Sequence, residues 1–140
     1  MSEAFANERE VCTCGALRRA ARTVTSLYDQ ALKPTGLRVT QFAILKILDR
    51  CGTLPVTRLA AEASLERTTM ARNLDPLERR GLVCVGADEA DARSRLVELT
   101  DAGRATLSEA MPHWRSAQDR ISRRVDPGSV RALASALSAE

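Results

Sequence analysis

The feature that most limits the folds open to this chain is a change of hydrophobic period after Gly81. Up to that glycine the apolar residues recur at helical intervals. Beyond it, Leu82-Val83-Cys84-Val85 and Arg95-Leu96-Val97-Glu98-Leu99 read as strands. They are separated by Gly86-Ala87-Asp88-Glu89-Ala90-Asp91-Ala92-Arg93-Ser94, a polar loop too long for a tight hairpin turn. Thr100-Asp101 restarts a helix that runs to about Val125, and Asp126-Pro127 supplies an N-cap with proline at the first position of a last helix. The expected fold is therefore mainly α with a small β-wing.

Upstream of the switch, from about Asn7 to Leu32, Leu17, Ala20, Ala21, Val24, Leu27, Tyr28 and Ala31 recur every three to four residues, as in a helix with one buried stripe. Lys33-Pro34-Thr35-Gly36 stops it. The stretch Thr40 to Arg50 carries Phe42, Ile44, Leu45, Ile47 and Leu48, which is too apolar around its circumference for a surface helix and predicts a central one. Leu54-Pro55-Val56 reads as a short extended piece, with Thr57 as N-cap of a short helix ending near Ala63. A turn at Ser64-Leu65 leads to a longer helix, about Arg67 to Arg80, closed by Gly81. Pro76 removes one backbone hydrogen bond in that helix, leaves the Arg72 carbonyl without its partner and predicts a local bend. Two short helices joined by a tight turn and followed directly by a hairpin with a long charged tip make a winged helix-turn-helix.

At 140 residues the chain is one domain by length, and 44% hydrophobic with 28% charged residues is an ordinary globular balance. No apolar run approaches the roughly 18 residues of a membrane span, and MSEAFANERE lacks the basic-then-apolar pattern of a signal peptide. The expected location is the cytoplasm, away from membranes, with thiols reduced at rest. Cys12, Cys14, Cys51 and Cys84 form no pair of C-x-x-C knuckles and there is a single histidine, so neither a disulfide framework nor a metal site is suggested, and no cofactor is expected. A net charge of +3 does not announce nucleic-acid binding by itself, but nineteen of the 21 basic residues are arginine, which meets phosphate and guanine in a planar, bidentate way.

Those arginines fall where a reading head would need them. On the predicted helix after the turn, Arg67, Thr68, Thr69, Arg72 and Asn73 cluster in the first two turns, where a recognition helix meets base edges and phosphates. Arginine can bridge guanine, asparagine can bridge adenine, and threonine hydroxyls suit phosphate or base edges. An isolated cluster of this kind is usually a solvated helix face; the neighbouring wing turns the balance toward a reading surface. In the wing, Arg93 and Arg95 are separated by one residue and point the same way on an extended chain. From Arg58 to Arg95 seven arginines face seven acids, Asp88 and Glu89 among them, so attraction to phosphate must come from the layout of charge rather than its sum.

On these residues the sequence resembles a MarR-family transcriptional regulator. The resemblance is carried by GLRVTQFAILKIL (36 to 48), LAAEASLERTTMARNLDPLERRGLV (59 to 83) and DARSRLVELTDAGRA (91 to 105), where D-x-R-x-R leading into L-T-x-A-G is the most specific part. It implies a homodimer bound to double-stranded DNA at a pseudo-palindromic operator. Residues 1–35 would form an N-terminal dimerisation helix, 36–100 the winged helix-turn-helix core and 101–140 the C-terminal dimerisation helices. It further implies that Arg93 reaches into the minor groove, that Asp91 braces the wing and that Arg95 contacts the DNA backbone or Asp91.

The stretch VCTCGALRRAAR places Cys12 and Cys14 at the mouth of the first helix, with Arg18 and Arg19 one turn on. A thiol near a helix N-terminus and cations is partly ionised and reactive, and its oxidation adds bulk and polarity. In a dimer joined through that helix, such a change alters the separation of two reading heads, which must match half-sites about 34 Å apart. The family has an organic-hydroperoxide-sensing branch with a reactive cysteine at this place and a tyrosine fourteen positions later, an interval that Cys14 and Tyr28 reproduce. On one helix these two lie roughly 21 Å apart, so a contact between them must come from the other protomer. Arg18 stands where that branch would carry a second tyrosine, and no cysteine follows Cys84. Helical positions two apart point about 200° away from each other, so a Cys12–Cys14 bridge needs unwinding. Bridging between protomers, capture of a soft metal or metalloid, and a plain role as small buried residues are the other readings.

The leading functional expectation is thus a dimeric DNA-binding repressor released by oxidation or modification of a first-helix cysteine. The second is a MarR-type regulator released by a small phenolic or lipophilic acid in the cleft between dimer helices and reading heads, with the cysteines structural. A thiol enzyme needs a base, and the single histidine, His113, falls in Pro112-His113-Trp114 of a distant predicted helix, where it reads with Trp114 as a dimer-seam pair. With no carboxylate pair, Gly-rich phosphate loop or metal-ligand spacing, no enzyme is expected.

Overall fold

The computed structural model describes residues 12–139. The first helix, α1, spans Thr13–Leu32, and the predicted start from Asn7 to Val11 lies outside the described residues. Only Leu32 of α1 is fully buried. A 3-10 turn, Lys33–Thr35, closes it, with the Thr35 hydroxyl donating to the Leu32 carbonyl at 2.6 Å and Gly36 in the left-handed region at φ 74°. The next helix, α2 (Val39–Cys51), is the predicted central one. It buries Phe42, Ile44, Leu45, Ile47 and Leu48, and its N-terminus is closed by Gln41, whose Oε1 accepts from Arg38 N–H at 3.0 Å.

A two-residue strand β1 (Leu54–Pro55) leads into α3 (Val56–Glu62). Thr57 is not the cap of α3: the helix starts one residue earlier, Pro55 holds the cap position at φ −60° and ψ 146°, and no side chain caps it. Proline brings a fixed φ to the cap position but no side-chain acceptor, so α3 begins without a capping hydrogen bond. After a turn at Ser64 (φ 53°), α4 runs Arg67–Arg79 and continues through Pro76. Strand β2 (Val83–Ala87) starts one residue later than expected and takes in Gly86 and Ala87, which pair with Leu96 and Arg95 of β3 (Arg95–Leu99). The wing loop is correspondingly shorter than its polarity predicts, because backbone pairing continues where the side chains have ceased to be apolar. The antiparallel sheet has the order β1-β3-β2, with Leu54 opposite Val97 and Val83 opposite Leu99.

Helix α5 (Asp101–Ser122) is capped by Thr100, whose hydroxyl oxygen accepts from Gly103 N–H at 3.0 Å and donates to the Gly81 carbonyl at 2.7 Å. The last helix, α6 (Pro127–Ser138), begins as predicted with Asp126 accepting from Ser129 N–H at 2.9 Å and Pro127 at the first position. None of its residues is buried. The core instead forms where α2 meets α4, α5 and the sheet, around Phe42, Ile44, Leu45, Leu48, Leu59, Met70, Leu77, Val83 and Val97.

Trp114, expected beside His113 at a dimer seam, is tied into its own protomer. Its ring stacks on Phe42 (centroids 5.7 Å apart) and on Tyr28 (6.3 Å), and Lys46 Nζ lies 4.2 Å from its centroid. Half-buried, Trp114 therefore joins α1, α2 and α5 within one protomer, because its position on α5 faces Phe42 of the central helix.

Candidate DNA-reading surface

Each helical residue turns the chain by about 100°, so burying Met70, Leu74 and Leu77 decides where the rest of α4 points. The opposite face carries Thr68, Arg72, Asp75 and Arg79, all exposed. Thr68 and Arg72 are expected reading residues. Asp75 and Arg79, seven and eleven positions from Thr68, stand on the same line and lie outside the polar cluster that the sequence suggests. Arg67 lies on the flank of α4 toward the wing.

Asn73 does not face outward as its place in the polar cluster suggests. It is half-buried against α2, its Oδ1 accepting from the Thr40 hydroxyl at 2.7 Å and its Nδ2 donating to the Thr69 carbonyl at 2.8 Å. An amide already satisfied on both sides has little to offer an adenine, and Thr69, half-buried on the same flank, is also turned from the outward line. Polarity alone could not separate these positions from Thr68 and Arg72; the helical angle to the buried residues does.

Between α4 and the wing lies a groove of about 330 Å³, lined among others by Thr57, Arg67, Glu78, Arg93 and Arg95. Arg93 and Arg95 converge on it, though not through strand alternation: Arg93 sits in the turn before β3 begins. Asp91 shapes that turn. Its carboxylate accepts from Arg93 N–H at 3.0 Å, while its own N–H donates to the Asp88 carbonyl and its carbonyl accepts from Ser94 N–H. Among the described residues the ion pairs are Arg50–Glu62, Arg104–Asp49 and Arg104–Asp101, so Arg67, Arg72, Arg79, Arg93 and Arg95 carry no carboxylate partner. Equal numbers of acids and bases thus still leave one face with free guanidinium groups.

All four cysteines are exposed, which removes the reading of Cys12 and Cys14 as buried filler within the protomer. Cys12 is the N-cap of α1 at φ −47° and ψ 124°, off the helix, so the opposed directions expected for two helical positions do not apply to the Cys12–Cys14 pair. Backbone N–H groups of Gly15 and Cys14 hold the Cys12 thiol below its ordinary pKa. Tyr28 is far from both: its hydroxyl donates to Gln118 Oε1, its ring lies on Trp114, and burial pushes its pKa up. No group of three His, Cys, Asp or Glu able to hold a metal ion occurs among the described residues, and no helix among them is long and apolar enough to cross a membrane. A second cavity, about 670 Å³, lies along α1 and the turn into α2, lined by Arg22, Thr25, Asp29, Lys33, Leu37 and Arg38 among others.

Comparison with known proteins places this geometry. The MarR family profile matches residues 37–94, from the turn before α2 to the wing. The structure is similar to that of the Mycobacterium tuberculosis transcriptional regulator MosR in complex with DNA, with a TM-score of 0.81 and 42% identity, covering 91% of this chain and 95% of that one. Two Bacillus subtilis regulators match over 96 residues, 69% of this chain: MhqR at 26% identity and the organic hydroperoxide resistance transcriptional regulator at 30%. The matched part spans 66% and 65% of their lengths, just under two thirds. With a winged helix-turn-helix bearing unpaired arginines on its exposed face, and with relatives of this kind, the chain belongs to the MarR family of transcriptional regulators.

Proposed function

We propose that the protein is a homodimeric, sequence-specific DNA-binding repressor of the cytoplasm, released when a first-helix cysteine is oxidised or otherwise modified. The observation that carries the DNA-binding part is the alignment of Thr68, Arg72 and Arg79 on the outward face of α4 beside the groove holding Arg67, Arg93 and Arg95. In this reading residues 36–100 form the reading head and residues 1–35 and 101–140 the dimer helices. The outward face of α4 enters the major groove and reads base edges, Arg93 enters the adjacent minor groove, and Arg67 and Arg95 bind the phosphate strand between them. Asp91 presets the turn before DNA arrives. Two such heads related by a twofold axis require an operator with two half-sites.

Replacing Arg93 by alanine is expected to lower affinity for the operator at least tenfold, with little change in melting temperature, because the side chain is exposed and unpaired. The slope of log affinity against log salt distinguishes its role. A phosphate contact lowers the slope by about one, whereas a minor-groove contact that discriminates bases also narrows the gap between operator and random duplex. Unchanged affinity would remove the wing from the interface.

Support for thiol control comes from the two exposed cysteines at the start of α1 and the N–H groups that favour the Cys12 thiolate. The expected result is that peroxide abolishes the DNA shift of the wild type, that dithiothreitol restores it, and that Cys14→Ser or Cys12→Ser blunts the loss. Mass spectrometry of the oxidised protein tells a bridge within one protomer from one between protomers. The 670 Å³ cavity beside Arg22, Lys33 and Arg38 favours a second reading, release by a small phenolic or lipophilic acid, with the cysteines serving no regulatory purpose. DNA binding unaltered in the fully oxidised protein, but lost with millimolar salicylate, decides for the second.

A further inference from the structure

We propose that Arg80 is a positioning residue for DNA recognition, a strut that ties the end of the reading helix to the turn in which the first helix ends. The proposal rests on the dimeric DNA-binding reading above. Arg80 follows α4 directly and belongs by sequence to its basic cluster, yet its guanidinium faces away from the reading surface. It donates through Nη1 to the Gly36 carbonyl and through Nη2 to the Thr35 carbonyl, both at 3.2 Å. These carbonyls lie at the C-terminal end of the 3-10 turn after α1, where a cation is favoured by the exposed ends of the backbone dipoles. Gly36 leaves room for the contact: a Cβ there would stand 3.3 Å from Arg80 Nη1, on a backbone whose φ of 74° already disfavours a side chain.

The strut is one of several polar contacts on the same short segment. Asn73 receives the Thr40 hydroxyl from that segment, and it lies on the same flank of α4 as Arg80. From the other side, Asp29 of α1 accepts from Val39 N–H at 2.8 Å. Residues 35–40 are therefore held by α1 on one side and by the reading helix on the other. The cavity along α1 is lined by Gly36, Leu37 and Arg38 of this same segment, so a change in α1 or in that cavity reaches α4 through Arg80 and Asn73. A planar fork on two successive carbonyls fixes direction as well as distance, which a single ammonium contact does not.

The test uses the full chain and an operator selected from a random duplex library, together with the same operator lengthened by one base pair between half-sites. Arg80→Ala is expected to weaken binding to the selected operator about five- to tenfold, from the loss of charged hydrogen bonds that are partly open to solvent. The penalty that the wild type shows on the lengthened operator should shrink to less than half. The salt slope should stay unchanged. A salt slope lower by about one makes Arg80 a phosphate contact and overturns the proposal. Equal losses on both operators overturn it as well. If the wild type binds no duplex, the DNA-binding reading fails, and amide exchange in the free protein decides for the strut. Faster exchange over residues 35–39 in Arg80→Ala, with the middle of α5 unaffected, upholds it; unchanged exchange overturns it.

Discussion

Replacing Gly103 by alanine is expected to destabilise the fold by about 3 kcal/mol or more, enough to lower the urea midpoint by more than 1 M. Gly103 lies in the first turn of α5, where alanine is ordinarily the better helix former by about 1 kcal/mol. Here the sign reverses. A Cβ at this position would stand 2.1 Å from the Leu82 carbonyl oxygen and 2.7 Å from Leu99 Cδ1. The first of these is backbone at the start of the wing and cannot rotate aside, and the same oxygen accepts from Thr100 N–H at 3.2 Å. Pushing it away breaks that bond and shifts β2 relative to α5. Serine is expected to fail in the same way, and a larger residue should leave no folded protein. Denaturation of Gly103→Ala at the wild-type midpoint would mean that α5 can slide along the sheet without loss, and that the close approach has no energetic role.

That residue also shows how much was legible beforehand. The L-T-x-A-G stretch was readable as a motif, but the sequence carried no reason for its glycine; the reason is the carbonyl of Leu82, twenty-one positions earlier. Asp126 was legible as a cap, and Thr100 as the point where a helix restarts, because a cap is a local hydrogen bond within three residues, and both form it. The burial of α2 was legible from apolar residues all round one helix. Thr57 misled because a hydroxyl near a helix start looks like a cap whether or not the helix has already begun before it. Asn73 misled for a related reason: its partner, Thr40, lies thirty-three positions away on another helix, and polarity does not tell inward from outward. The stacking of Trp114 on Phe42 was not legible, because an aromatic residue on a terminal helix reads equally well as seam or core until the position of Phe42 is known. The free guanidinium groups of the wing depend on where Asp88 and Asp91 spend their oxygens, which is turn geometry rather than composition.

The largest expected effect on assembly follows from α6. Val130, Leu133 and Leu137 recur at helical spacing, and they are 50%, 47% and 61% exposed. A helix of twelve residues with no buried side chain is marginal on its own, so something must cover this stripe. Val125, exposed just before α6, lines a shallow groove with Ala16, Ala20, Val24 and Leu27 of the first helix, and Leu17 of that helix is exposed too. A second copy of the chain is the occupant that the dimeric reading requires. Leu133→Asp then places a carboxylate in the seam, and twofold symmetry places it there twice. An unpaired charge removed from water costs several kcal/mol, so two of them should raise the dimer dissociation constant by about a thousandfold or more. The protomer itself has little to lose, since Leu133 touches no core there, and circular dichroism should report a folded core with at most the last helix frayed. Sedimentation velocity at micromolar concentration is expected to show monomers, and the gel shift on a two-half-site operator should need at least a hundredfold more protein, because one head alone contacts half the site. Leu133→Ala, which removes area without adding charge, should lie between the wild type and the aspartate variant. A Leu133→Asp protein that remains dimeric and binds DNA like the wild type would place the seam elsewhere, and with it the link from the first-helix cysteines to the spacing of the reading heads.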